Sequence, residues 1–286
     1  MVRTRFTELV GCRLPFQLAV LGGVGTTELA AAVIDAGGLG MVPDGVDVPD
    51  PALGPAGIGF LMPFVPAPEV VTERVRNARV AEFFFGEPDA ALIRAGHASD
   101  ALVSWQVGSL DEARAAEAAG CDLIIAQGVE AGGHVRGTTP LDQLLGEVLG
   151  AVNLPVVAAG GIGTSERVAQ LIAAGADAVR IGTRFLATPE CDAHPKYVHA
   201  LLGAEGQDAV LTEYFDEYGA WPAAVRVLAS ALEAARLSGN RHCTPPARKA
   251  VGDPLAMACY AGLSVQHIRT VAPAKDVVEE LIAHLC

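Results

Sequence analysis

Eight short apolar runs, separated by segments with helical spacing, constrain this chain more than any other feature. The runs are Leu14–Leu21, Leu39–Val42, Gly57–Phe64, Val80–Phe85, Ala101–Val107, Leu123–Gln127, Pro155–Ala159 and Ala178–Ile181. Several are continuously apolar rather than alternating, the pattern of parallel strands covered on their outer side. Between them, Leu29, Ala32, Val33 and Ala36 fall at helical spacing after Thr26-Thr27, which can cap. Ser109 with Glu112 makes a capping box ahead of Ala113–Ala119, closed by Gly120. Val168, Leu171 and Ile172 repeat the spacing after Thr164-Ser165 and end at Gly175. Eight βα units predict an α/β fold, a (β/α)₈ TIM barrel whose active groups stand at the carboxyl ends of the strands.

From about residue 190 the alternation stops. The segment 191–270 shows no strand pattern and reads as a small helical insertion, or lid, after the eighth strand, with a helix over Pro222–Arg236. A last helix, Ala274–Leu285, packs back on the barrel, so the chain divides as 1–190, 191–270 and 271–286. Apolar residues make up 51% of the 286 but aromatics only 5%, so the core is aliphatic. A net charge of −13 disfavours a nucleic-acid partner, because phosphate neutralisation needs clustered cations. Six scattered cysteines, at 12, 121, 191, 243, 259 and 286, form no Cys-x-x-Cys pair. Neither a metal site nor a disulfide framework is expected from them, and reduced thiols suit a cytoplasmic protein. Glu8, Arg13, Pro15 and Gln17 interrupt the N-terminal apolar stretch, so no membrane span is expected.

Three strand ends carry the chemistry. The sixth run leads into Gln127-Gly-Val-Glu-Ala-Gly132-Gly133-His134; the seventh ends in Gly160-Gly161-Ile-Gly163, and the eighth in Gly182-Thr183. Glycines after the seventh and eighth strands let backbone N–H groups approach an anion, the usual phosphate site of such barrels. A surface turn would explain Gly132-Gly133 but not the histidine that follows.

The segments AQGVEAGGH (from Ala126), VVAAGGIGTSERVAQLIAAGADAVRIGTRF (from Val156), and LPFQ with TTELAAAVIDAGGLG resemble the nitronate monooxygenase (2-nitropropane dioxygenase) family. The resemblance runs from about residue 14 to 190 and recurs in VLTEYFDEYGAWPAAVRVLASALEAA and YAGLSVQHIRTVAPAKDVVEEL. It implies a flavin-dependent oxidoreductase with bound FMN, oxidising alkyl nitronates, or nitroalkanes after proton abstraction, with molecular oxygen. His134 is the implied catalytic residue, and an imidazole near its ordinary pKa of 6.5 suits proton transfer at neutral pH. Gln127 is implied near the phosphate or ribityl chain, and Gly160, Gly161, Gly182 and Thr183 at the phosphate. Gln17, Gly132 and Gly133 are implied beside the ring.

Three departures stand near the implied ring. The family's Gln-Ala-Pro-Met reads Gln17-Leu-Ala-Val20, its third-strand Asn is Gly59, and its tail Gly-Gln-Ser is Gly262-Leu263-Ser264. The acid-free segment from Arg236 to Lys249 adds Arg241, Arg248 and Lys249 as candidate contacts to a phosphorylated or CoA-linked substrate. It favours an alternative on the same barrel, an enoyl-thioester (CoA or carrier-protein) reductase with NAD(P)H as electron donor. A purine-nucleotide dehydrogenase would need a nucleophilic Cys loop between the phosphate strands, and there is none. A non-catalytic flavin-binding protein is the remaining alternative, with His134 as the argument against it.

Overall fold

The computed structural model of the chain describes residues 2–216 and 223–285. In order the elements are α1 (Arg5–Val10), β1 (Phe16–Leu18), α2 (Thr27–Ala36), β2 (Gly40–Pro43), β3 (Ala56–Leu61), α3 (Pro68–Arg74) and β4 (Val80–Phe84). Then come α4 (Ala90–His97), β5 (Leu102–Val107), α5 (Leu110–Ala119), β6 (Leu123–Gln127), β7 (Gly133–His134), α6 (Leu141–Leu149), β8 (Val156–Ala159) and α7 (Ser165–Ala173). The chain ends through β9 (Ala178–Ile181), α8 (Pro195–Leu202), β10 (Ala209–Thr212), β11 (Val225–Leu228), α9 (Ala229–Ser238) and α10 (Ala274–Ile282).

Eight parallel strands, in the order β1-β9-β8-β6-β5-β4-β3-β2, form the barrel at the places the sequence predicts. Its seam is closed by backbone bonds from Leu18 N–H to Leu39 O (3.0 Å) and from Leu39 N–H to Phe16 O (2.9 Å). The expected caps are present: Thr26 Oγ1 accepts from Leu29 N–H and Ser109 Oγ from Glu112 N–H. The capping box at Ser109 is half formed, because the Glu112 carboxylate is engaged elsewhere, accepting from Gly108 N–H and from Arg136 Nε.

Strand pleating sorts the side chains into two layers. Phe60, Phe83 and Trp105 lie in lateral register on β3, β4 and β5, and stack with centroids 5.3 and 5.1 Å apart. The alternate set, Gly59, Glu82 and Ser104, therefore faces into the barrel. On the other side, Gln17, Arg180, Ala159 and Gln127 are lateral neighbours across β1, β9, β8 and β6. At the amino ends of the strands Asp177 accepts from Arg5 Nε (3.0 Å) and Arg5 NH2 (2.7 Å), and from Val156 N–H (2.9 Å).

The segment after β9 differs from expectation. It holds α8 and α9 as helices, but also β10 and β11, which the sequence analysis does not anticipate. With β7 they make a three-stranded antiparallel sheet, in the order β10-β11-β7. Each of β10 and β11 has four residues, and buried Val225–Leu228 runs directly into alanine-rich α9, so its period merges with the helix. The expected helix over Pro222–Arg236 thus begins later, at Ala229; Pro222 itself lies outside the described residues. The C-terminal helix forms as α10, followed by a 3₁₀ turn over Ala283–Leu285.

Candidate active site

A cavity of about 430 Å³ opens at the carboxyl ends of the barrel strands, within the range of small-molecule and cofactor sites. Gln127, Gly132, Gly133, His134, Gly160, Gly161, Gly182 and Thr183 all line it. Gln17 is placed differently: it is 1% exposed, with Nε2 donating to Glu82 Oε2 at 2.7 Å, while the following Ala19, Val20 and Leu21 line the cavity.

His134 is held by backbone on both sides. As β7 it pairs with Val225 of β11, and the next residue, Val135, donates its N–H to Ala224 O at 2.8 Å. Gln127 fixes the same loop with both ends of its amide. Its Nε2 donates to His134 O (2.9 Å), and its Oε1 accepts from Arg136 N–H (3.1 Å). Arg136 is anchored in turn on Glu112 (2.6 Å) and Glu87 (3.1 Å). The glycines before the histidine have a steric reason. A Cβ on Gly132 would lie 2.5 Å from Gly262 N, so the C-terminal tail can cross the loop only over a bare backbone.

The imidazole sits between two rings, Phe85 at 6.0 Å and Tyr260 at 5.7 Å between centroids. Phe85 has φ of 70°, a left-handed backbone unusual for a bulky residue, at a typical cost of about 1–3 kcal/mol. Desolvation in this setting pushes the His134 pKa down to about 4, so the sequence expectation of an ordinary imidazole is not met. At neutral pH the ring is uncharged. It can give or take a hydrogen bond, but it is a weaker base than an exposed histidine.

At the opposite wall Gly160 and Gly161 both have positive φ (108° and 67°). Successive residues of this kind gather N–H groups into a concavity that suits an anion. Thr183 Oγ1 accepts from Gly262 N–H at 3.1 Å, which leaves its hydroxyl proton to donate. Backbone concavity, hydroxyl and cavity size fit a phosphorylated cofactor such as FMN.

Beneath lies a polar group that the sequence analysis overlooks. Arg180 NH2 donates to Glu82 Oε1, Arg180 NH1 to Gln106 Oε1, and Gln17 closes on Glu82. Burial raises the Glu82 carboxyl above its ordinary range, opposed by the Arg180 charge and the Gln17 amide. A single acid inside Val80–Phe84 and a single base inside Ala178–Ile181 were visible signals of inward charges in buried strands.

Two sequence departures prove to be one feature. A Cβ on Gly59 would lie 2.4 Å from Val20 Cγ2, so Val20 occupies the space that a side chain at 59 would need. Of the basic segment, Cys243, Thr244 and Pro245 reach the cavity rather than the cations. Arg241 lies over the Tyr214 ring at 5.5 Å; Arg248 donates to Pro189 O (2.6 Å) and Cys191 O (2.7 Å), and Lys249 is exposed. Glu130 does not orient His134: both its oxygens accept from Leu141 N–H at the start of α6. His97 pairs with Asp122 at 2.8 Å, and Trp105 Nε1 donates to Gly86 O at 2.9 Å; both serve structure. Burial pushes the Cys191 thiol up to about 11, as for an inert buried cysteine.

The family model for nitronate monooxygenase matches residues 64–284. The chain belongs to the nitronate monooxygenase family. It is a flavin-dependent oxidoreductase by that membership, and the family points to FMN. Nitronate monooxygenase of Pseudomonas aeruginosa is 33% identical over 267 residues, covering 73% of this chain and 76% of that protein. A 5-hydroxy-7a-methyl-1-oxo-octahydro-indene-4-carboxyl-CoA dehydrogenase of Rhodococcus jostii is 33% identical over 230 residues, covering 75% of this chain and 64% of that protein. Among solved structures, FabK from Thermotoga maritima superposes with a TM-score of 0.82 at 30% identity, covering 99% of this chain and 96% of FabK. Nitroalkane oxidase from Streptomyces ansochromogenes gives 0.78 at 31%, covering 98% and 97%. Among the described residues no helix is long and apolar enough to cross a membrane, and no group of three or more His, Cys, Asp or Glu side chains could hold a metal.

Proposed function

We propose that this family member binds FMN and oxidises alkyl nitronates with molecular oxygen. Gly160, Gly161, Gly182 and Thr183 would hold the phosphate, with Ala19–Leu21, Gly132 and Gly133 beside the ring. Bound there, FMN would supply the redox chemistry, taking up electrons from the substrate for transfer to oxygen. His134 carries the reading, as a cavity-wall imidazole held by Gln127 and β11 and kept uncharged at neutral pH by desolvation. Such a ring abstracts a carbon-bound proton poorly but can hydrogen-bond an anion. The preferred substrate is therefore the preformed nitronate rather than the neutral nitroalkane. Tyr260 and Phe85 limit water around the ring, which strengthens that bond.

A second reading is an NAD(P)H-dependent reductase of an enoyl thioester. The Rhodococcus relative named for a CoA-linked substrate favours it, as does the segment bearing Arg241, which reaches the cavity mouth through Cys243–Pro245. Oxygen uptake by FMN-loaded protein tests the two. Faster uptake with an alkyl nitronate than with its parent nitroalkane is expected. No uptake with either, together with NADPH-dependent loss of an enoyl-CoA, would establish the second reading instead.

A further inference from the structure

A carboxylate and a guanidinium inside a barrel are costly, because desolvating both charges can exceed their mutual attraction. Glu82 and Arg180 are such a pair, and neither the phosphate loops nor His134 uses them. Both line the cavity, and their exposure is unequal: Glu82 is 1% exposed and Arg180 9%. Among the described residues lining the cavity, Arg180 is the one Lys or Arg. It lies two residues before Gly182, on the strand that leads into the phosphate loop. Its orientation is over-determined. NH2 is tied to Glu82, which Gln17 also binds, and NH1 to Gln106 Oε1. That last bond leaves the Gln106 amide nitrogen, a donor, as the free end of a side chain that lines the cavity.

We propose that Arg180 sets the charge of the flavin site, and that Glu82 is a positioning residue that holds this cation and tempers its effect. The proposal rests on the FMN reading above. A fixed positive charge in a water-poor cavity favours electron uptake by a neighbouring group, because it stabilises the added negative charge without reorganising. A carboxylate paired with the guanidinium weakens that field. The pair thus gives this chain a means of tuning how readily its cofactor accepts electrons, separate from the histidine that meets substrate.

The test is the midpoint potential of bound FMN in the wild type, in Glu82→Gln and in the double variant Glu82→Gln/Arg180→Gln, alongside FMN affinity by fluorescence quenching and thermal unfolding. Glu82→Gln leaves the cation untempered and is expected to shift the potential to more positive values. The double variant removes the cation and is expected to shift it below the wild type. Where Glu82→Gln fails to fold, the double variant decides alone, since it strands no charge. A double variant that binds FMN at the wild-type potential, with only its unfolding temperature lowered, would show a merely structural pair and overturn the proposal. Wild-type protein that takes up no FMN would overturn the functional reading along with it.

Discussion

Burial holds the His134 imidazole at a pKa of about 4 against an ordinary 6.5, and this has consequences for stability as well as chemistry. Between those values the unfolded chain binds a proton at this position that the folded chain does not. The histidine therefore makes stability rise with pH across that window and contributes no slope above it. His134→Gln is expected to flatten that rise, as seen in urea midpoints at the two ends of the window; an unchanged slope would place the imidazole in solvent. In turnover, His134→Ala is expected to cost roughly 10²–10³-fold with a nitronate, the range for removing one hydrogen-bond donor to charge at the reacting centre. Gly59 and Val20 make a second residue-level case. Gly59→Ala should destabilise by about 1–3 kcal/mol through overpacking. Val20→Ala in the same chain should recover most of that, which denaturant unfolding of the double-mutant cycle would show as a coupling of about 0.5–3 kcal/mol. Additive losses would mean that the two side-chain positions do not meet.

At the scale of elements, the site depends on a two-residue strand. β7 is pinned by β11 on one side and by the Gln127 amide on the other. Gln127→Leu removes the bonds to the His134 carbonyl and from the Arg136 N–H, at about 0.5–1.5 kcal/mol for each. It should lower thermal stability and nitronate turnover together; retained turnover would show that the loop is held from elsewhere. This arrangement was half legible in the sequence. The eight barrel strands stood out because each is an apolar run bounded by a cap or a glycine, as Leu123–Gln127 is by Gly120 and Gly128. His134 stood out because glycines at 132 and 133 leave it conspicuous after a buried strand. β11 did not, because Val225–Leu228 has no breaker before Ala229 and its partner is only Gly133–His134. Glu82 and Arg180 were readable as lone charges in apolar strands, but their pairing depends on register between β1, β4 and β9, which spacing along the chain does not reveal.

At the scale of the molecule, the two ends of the barrel divide stability from function. The amino end is closed by Asp177, which takes Arg5 from the first helix and the Val156 N–H of β8. Asp177→Ala should cost about 1–3 kcal/mol through the groups it strands. FMN affinity and turnover per folded molecule should stay at wild-type values; a loss of FMN affinity at unchanged fold would show that the two ends are coupled. The carboxyl end gathers the phosphate loops, the histidine loop and the tail at Gly262 around one cavity. Around that cavity the proposed reaction is oxidation of a nitronate at FMN beside His134. The most direct measurement is anaerobic mixing of FMN-loaded protein with an alkyl nitronate and, separately, with NADPH, following flavin absorbance in a stopped-flow instrument. Rapid loss of oxidised-flavin absorbance is expected with the nitronate, slowed strongly in His134→Ala. Loss of absorbance with NADPH alone, and none with the nitronate, would rule out nitronate oxidation in this cavity.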